Sequence, residues 1–162
     1  MKICVLSDSH FGEFDIIDEK LKDVISNFNF FIHAGDVGST KFLKFLSKYG
    51  EVVAVKGNTD IYPLDEILKY YEIVELEGIK IGIIHGGGNP LDIEGRVLTF
   101  FKDRGGVDII VFGHTHYPIV KKIDNIILFN PGSCTKNRGW DCSTYGIIEI
   151  DKDIKIDFFD IK

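Results

Sequence analysis

An acid and an imidazole stand two residues apart in Ser7-Asp8-Ser9-His10, where the apolar run Ile3 to Leu6 ends. Similar polar clusters close other apolar runs: His33-Ala34-Gly35-Asp36, Lys56-Gly57-Asn58-Thr59-Asp60, His85-Gly86-Gly87-Gly88, Gly113-His114-Thr115-His116 and Asn130-Pro131-Gly132-Ser133. Taken singly, an Asp or Asn beside glycine is ordinarily a turn former and a lone histidine is ordinarily structural. Here four of the five histidines fall at such ends in site-directed positions, and Asp-x-His and His-x-His spacing puts both side chains on one side of an extended chain. Donors of this kind ligate metals. Asp8, His10, Asp36, Asn58, His85, His114 and His116 together exceed the roughly four to six ligands, water included, that one first-row ion takes. Two ions sharing Asp36 as a bridge would use them all. Imidazole, carboxylate and amide donors without thiolate favour manganese, iron, nickel, cobalt or zinc over magnesium or calcium. Two such divalent transition-metal ions are expected, with manganese taken first.

For these groups to act together, the elements that carry them must converge. Lys2 to Ser7 is apolar on both parities and predicts a strand buried on both faces. Ile16, Ile17, Leu21, Val24, Ile25 and Phe28 make a helical stripe; Phe30 to Ala34 is a strand; Ser39 can cap a helix carrying Phe42 to Tyr49; Val52 to Val55 is a strand. This βαβαβ start predicts parallel pairing. Ile73 to Leu76 and Ile79 to Ile84 flank Glu77-Gly78 as a hairpin, and a helix around Ile93 to Phe101 leads to the strand Asp108 to Phe112. Ile119 to Ile123 with Ile126 to Phe129, and Tyr145 to Ile150 with Ile154 to Phe158, are further hairpins. A βαβ first half and a β-rich second half predict an α/β (α+β) chain, with two sheets face to face and helices outside preferred over one mixed sheet. Ligands bind beyond the carboxyl ends of strands, where the loops meet.

Composition bounds the rest. At 162 residues, 44% hydrophobic and 27% charged, the chain suits one domain spanning 1–162. The absence of an apolar run near 18 residues and of a secretory leader predicts a cytoplasmic protein without a membrane partner. A net charge of −6 argues against a cationic track along a nucleic-acid duplex. Cys4, Cys134 and Cys142 are odd in number and unpatterned, which argues against disulfides and a thiolate zinc site, and Cys4 reads as a core residue. The oligomeric state stays open.

The motifs "DSH", "GD", "GN", "HG" and "GHTH", in that order at strand ends, resemble the calcineurin-like metallophosphoesterase superfamily, and "NPGS" resembles its small bacterial and archaeal phosphodiesterase branch. The resemblance runs from about the first residue to Arg138. It implies a four-layer αββα fold, a two-sheet β-sandwich flanked by helices. It also implies one ion on Asp8, His10, Asp36 and His116 and another on Asp36, Asn58, His85 and His114. His33 matches no ligand position and is expected to form a hydrogen bond near the site. Thr59 stands where many members have a histidine that protonates the leaving oxygen, Gly87 stands where the branch often has a second histidine, and "SCTKNR" lacks the more usual proline before Arg138.

The chemistry expected is hydrolysis of a phosphoester by a water activated between ions about 3.5 to 4 Å apart. Two divalent ions, less Asp8, Asp36 and a hydroxide, leave about one positive charge, enough to hold a phosphodiester in an acidic protein. Asn58 is expected both to ligate and to face the phosphate, Arg138 to meet transition-state charge, and Asp60 to be a lesser candidate. The other readings are a phosphomonoesterase or nuclease of the same superfamily, or a protein-binding scaffold that keeps the fold without catalysis.

Overall fold

In the computed structural model, residues 1–138 and 141–162 are described. Strands β1 (Lys2–Leu6), β2 (Phe30–His33) and β3 (Glu51–Ala54) pair in parallel through the crossover helices α1 (Glu19–Ile25) and α2 (Thr40–Leu46). A short helix α3 (Leu64–Ile67) leads to the antiparallel pair β4 (Tyr71–Leu76) and β5 (Ile79–Ile84). A 3-10 turn at Pro90–Asp92 then runs into α4 (Ile93–Lys102). The remaining strands are β6 (Ile109–Phe112), β7 (Ile119–Ile123), β8 (Ile126–Asn130), β9 (Thr144–Ile150) and β10 (Ile154–Asp160). They complete two five-stranded sheets, ordered β10-β9-β1-β2-β3 and β4-β5-β6-β8-β7. Both are mixed, since β9 joins β1 antiparallel while β6 lies parallel to both β5 and β8.

Side-chain parity builds the layers. Ile3 and Val5 of β1 face the second sheet and pack with Ile81, Ile83, Ile109, Val111 and Phe129, whereas Cys4 and Leu6 face the helices and pack with Leu21, Ile25, Phe42 and Leu46. On the far side Ile84, Ile110 and Phe112 pack with Ile93, Val97 and Phe101 of α4. The result is the expected αββα arrangement. Fully burying one such aliphatic or aromatic side chain contributes about 1.5 to 3 kcal/mol, so these three interiors are what hold the strand ends in place.

Two local expectations are corrected, and one short helix is added. The α1 stripe begins too early: Asp18 caps the helix by accepting from Lys20 N at 2.9 Å, so Ile16 and Ile17 lie in the preceding loop, with Ile16 87% exposed. Ser39 occupies the α2 N-cap position but makes no capping bond; its hydroxyl is buried with no hydrogen-bond partner among the described residues. The four-residue α3 has too few turns to leave a periodic signal. Cys4 is fully buried as expected, and burial pushes its thiol well up, away from the reactive thiolate form. Among the described residues no helix is long and apolar enough to cross a membrane.

Candidate metal centre

The loops following β1, β2, β3, β5, β6 and β8 meet at the carboxyl ends of their strands. Backbone bonds lace the first two together: Asp8 N and His10 N donate to Gly35 O and Asp36 O, each at 3.0 Å. Two glycines permit the approach. A Cβ at Gly57 would lie 2.0 Å from Asp36 Oδ1, and one at Gly113 would lie 2.0 Å from Ser7 Oγ and 2.9 Å from Asp8 Oδ2. Asp8, His10, Asp36, His114 and His116 all take left-handed backbone, with φ between 48° and 71°. That conformation is costly for residues other than glycine and gathers at functional sites.

Five of the seven residues singled out in the sequence form two overlapping clusters, Asp8 with His10 and His116, and Asp8 with Asp36 and His85. His116 Nε2 lies 3.3 Å from Asp8 Oδ1. His85 Nε2 lies 3.4 Å from Asp36 Oδ2, 3.9 Å from Asp8 Oδ1 and 3.1 Å from Asn58 Oδ1. Asp36 Oδ2 is also 3.7 Å from His10 Nε2, which puts this carboxylate between the two histidine groups. His114 stands outside both clusters. Its ring meets that of His85 edge-on at 5.3 Å, and its backbone N–H donates to Asp8 Oδ2 at 3.0 Å.

The ring tautomers test whether this set fits a metal. A carbonyl oxygen only accepts, so His85 Nδ1, held 2.8 Å from Ala34 O, is an N–H, as is His116 Nδ1, 2.9 Å from Lys136 O. The lone pairs at Nε2 of His85 and His116 therefore aim into the centre, where His10 Nε2 and His116 Nε2 are 3.2 Å apart. With both rings neutral, these lone pairs face the carboxylate oxygens of Asp8 and Asp36, acceptor against acceptor, an arrangement that a proton or a metal cation relieves. Histidines pinned through the other nitrogen to a carbonyl are the usual surroundings of a metal ion.

The charges of the protein itself lean the same way. Burial would raise Asp8, but hydrogen bonding to His116, the charge of His85 and the Ser7 hydroxyl outweigh it and hold the carboxyl below its usual range. Burial also opposes ionisation of Asp36, and His85 with the Thr59 N–H overcomes it. Burial would lower His85, yet Asp36 and Asp8 raise it; Asp8 likewise raises His116 against burial and the nearby charge of Arg138.

A family model described as the calcineurin-like phosphoesterase superfamily domain matches residues 1–153. The chain belongs to this superfamily. A protein of Methanocaldococcus jannaschii named probable metallophosphoesterase is 35% identical over 159 residues, covering 97% of this chain and 79% of its own. A phosphodiesterase of the same organism is 28% identical over 148 residues, covering 83% and 84%. The crystal structure of a predicted phosphoesterase from Streptococcus pneumoniae superimposes with a TM-score of 0.77 at 27% identity, covering 99% of this chain and 89% of the other. Membership makes the chain a hydrolase of the metallophosphoesterase class, acting on phosphoesters, and the imidazole–carboxylate clusters are consistent with its metal ions.

Around this phosphoesterase centre lie residues whose partners only the fold reveals. Ser133 Oγ donates to Asp8 O at 2.8 Å, and Asn130 Nδ2 donates to Gly113 O at 2.9 Å, so the "NPGS" loop braces the loops of Asp8 and His114. Asp60 is corrected as a substrate group: its buried carboxylate is already committed to Gly38 N at 2.9 Å and Gly57 N at 2.8 Å, tying the Asp36 loop to the Asn58 loop. Arg138 is exposed, and its backbone N–H donates to His116 O at 3.0 Å. Thr59 Oγ1 lies 3.4 Å from His10 Nδ1. For Asn130 and Ser133 the advance signal was the polar end of β8.

Proposed function

We propose that the protein is a phosphodiesterase using two divalent transition-metal ions, manganese foremost. Asp8, His10, Asp36 and His116 hold one ion, and Asp36, Asn58, His85 and His114 hold the other. The observation that carries this reading is the convergence of inward lone pairs on His85 and His116 with the buried carboxylates of Asp8 and Asp36. The retained donor set favours an enzyme over a scaffold.

When bound, the ions supply Lewis acidity at the phosphoryl oxygens and lower the pKa of the attacking water. The chain supplies the rest. Asp8 and Asp36 stay ionised and bring two negative charges, which leaves a centre of modest positive charge suited to a singly charged diester. Asn58 is exposed, so with Oδ1 turned toward His85 its amide N–H groups are available to a phosphoryl oxygen. Arg138, close enough to His116 to oppose its protonation, meets charge that develops on the phosphoryl group. Thr59 offers no group acidic enough to protonate the departing oxygen, so the leaving group departs on its own acidity. Relatedness to the phosphodiesterase of M. jannaschii favours diesters over monoesters.

The test is hydrolysis of a chromogenic aryl diester and its monoester counterpart, each with manganese, nickel, cobalt, zinc and magnesium. Faster diester turnover that depends on a transition metal supports the proposal. Faster monoester turnover overturns the diester assignment, and no turnover with any metal overturns catalysis.

A further inference from the structure

The three-glycine loop after His85 has no role in the chemistry above, although a segment with that much conformational freedom should not hold a ligand steady. Its brace is Arg96 on α4. Nη1 of Arg96 donates to Gly87 O at 2.5 Å, and Nη2 donates to Gly86 O at 3.2 Å and to Asn89 O at 2.9 Å. Gly88 O, the one carbonyl of this stretch left over, lies 2.9 Å from His114 Nε2. A carbonyl cannot donate, so Nε2 carries the hydrogen and Nδ1 keeps the lone pair. Among the described residues the only carboxylate paired with Arg96 is Asp92, 3.9 Å from Nε and largely exposed, a contact of little energetic weight. The planar fork of the guanidinium is thus spent on loop carbonyls, a task that a point-charge ammonium cannot reproduce.

We propose that Arg96 is a positioning residue: by fixing the Gly86–Asn89 carbonyls it holds Gly88 O against His114 Nε2 and so presents His114 Nδ1 to the second ion. The inference rests on the two-ion reading above.

It is tested on the full chain by titrating Mn²⁺ into the metal-free parent and the Arg96→Gln and Arg96→Lys variants, with thermal unfolding measured alongside. The exchange of the His114 ring N–H is followed by NMR in the metal-free proteins. In Arg96→Gln the second equivalent of Mn²⁺ is expected to weaken about 10- to 100-fold while the first is unchanged, and the ring N–H is expected to exchange faster. Arg96→Lys should fall between, and it decides the matter by the same readouts if the glutamine variant does not fold. Unchanged second-ion affinity with an unchanged ring N–H overturns the proposal. If the parent itself binds fewer than two ions, the two-ion reading fails, and the ring N–H alone then decides whether Arg96 orients His114.

Discussion

Ser9 Oγ lies 2.8 Å from His33 Nε2, and the direction of that bond is fixed at both ends. Gly35 N donates to His33 Nδ1, so the ring hydrogen is on Nε2, and Ser9 in turn donates to Val37 O at 2.9 Å. A neutral, fully buried histidine therefore anchors the residue between Asp8 and His10.

Burial, opposed by Asp60 and Asp8, pulls His33 down to about 4. Against an unfolded value of about 6.5 the folded state binds fewer protons between these limits. Stability contributed by neutral His33 is then present above pH 6.5 and is lost as the pH falls toward 4, by about 3 kcal/mol at most. His33→Gln should flatten the pH dependence of the unfolding free energy in that window. The raised His85 and His116 act oppositely, above pH 6.5, and the lowered Asp8 and Asp36 act below about 4. An unchanged slope from pH 4 to 6.5 in the variant would contradict the assignment.

Left-handed backbone at His10 (φ 48°) is a cost to the metal-free protein, set against only exposed contacts of its ring with His116 and Thr59. Replacement by glycine removes strain of about 1 to 3 kcal/mol and adds about 0.5 to 1 kcal/mol of chain entropy to lose on folding. His10→Gly should therefore stabilise the metal-free protein by about 1 kcal/mol, raising its unfolding midpoint by about 2 to 4 °C while weakening metal binding. Thermal scans in chelator check this; a lower midpoint than the parent would refute it.

With Thr59 near His10 in place of an acid, the rate should fall steeply as the leaving group becomes more basic across aryl and alkyl diesters. Thr59→His should make that dependence shallower, with the gain confined to the more basic leaving groups. A flat dependence in the parent would mean that another group donates the proton.

The strands and the donors at their ends were legible in the sequence for a physical reason. A strand buried on both faces is a run of apolar residues that ends abruptly, as at Leu6 and Phe112, and the polar residues just beyond it stand out. The two-sheet layering followed from a βαβ first half and a β-rich second half. Features set by one capping contact or one backbone carbonyl were not legible. The start of α1 depends on Asp18 winning over the apolar pattern upstream, and the commitment of Asp60 depends on two amides that folding brings to it and that nothing in the chain marks. Arg96 gave no signal, because its partners are main-chain oxygens that any residue provides.

The most direct measurement is anomalous diffraction from a crystal grown with Mn²⁺. Two peaks about 3.5 to 4 Å apart are expected, one within ligand distance of His10 and His116 and one within ligand distance of His85 and Asn58. No peak among these residues would contradict the centre on which the proposed hydrolysis depends.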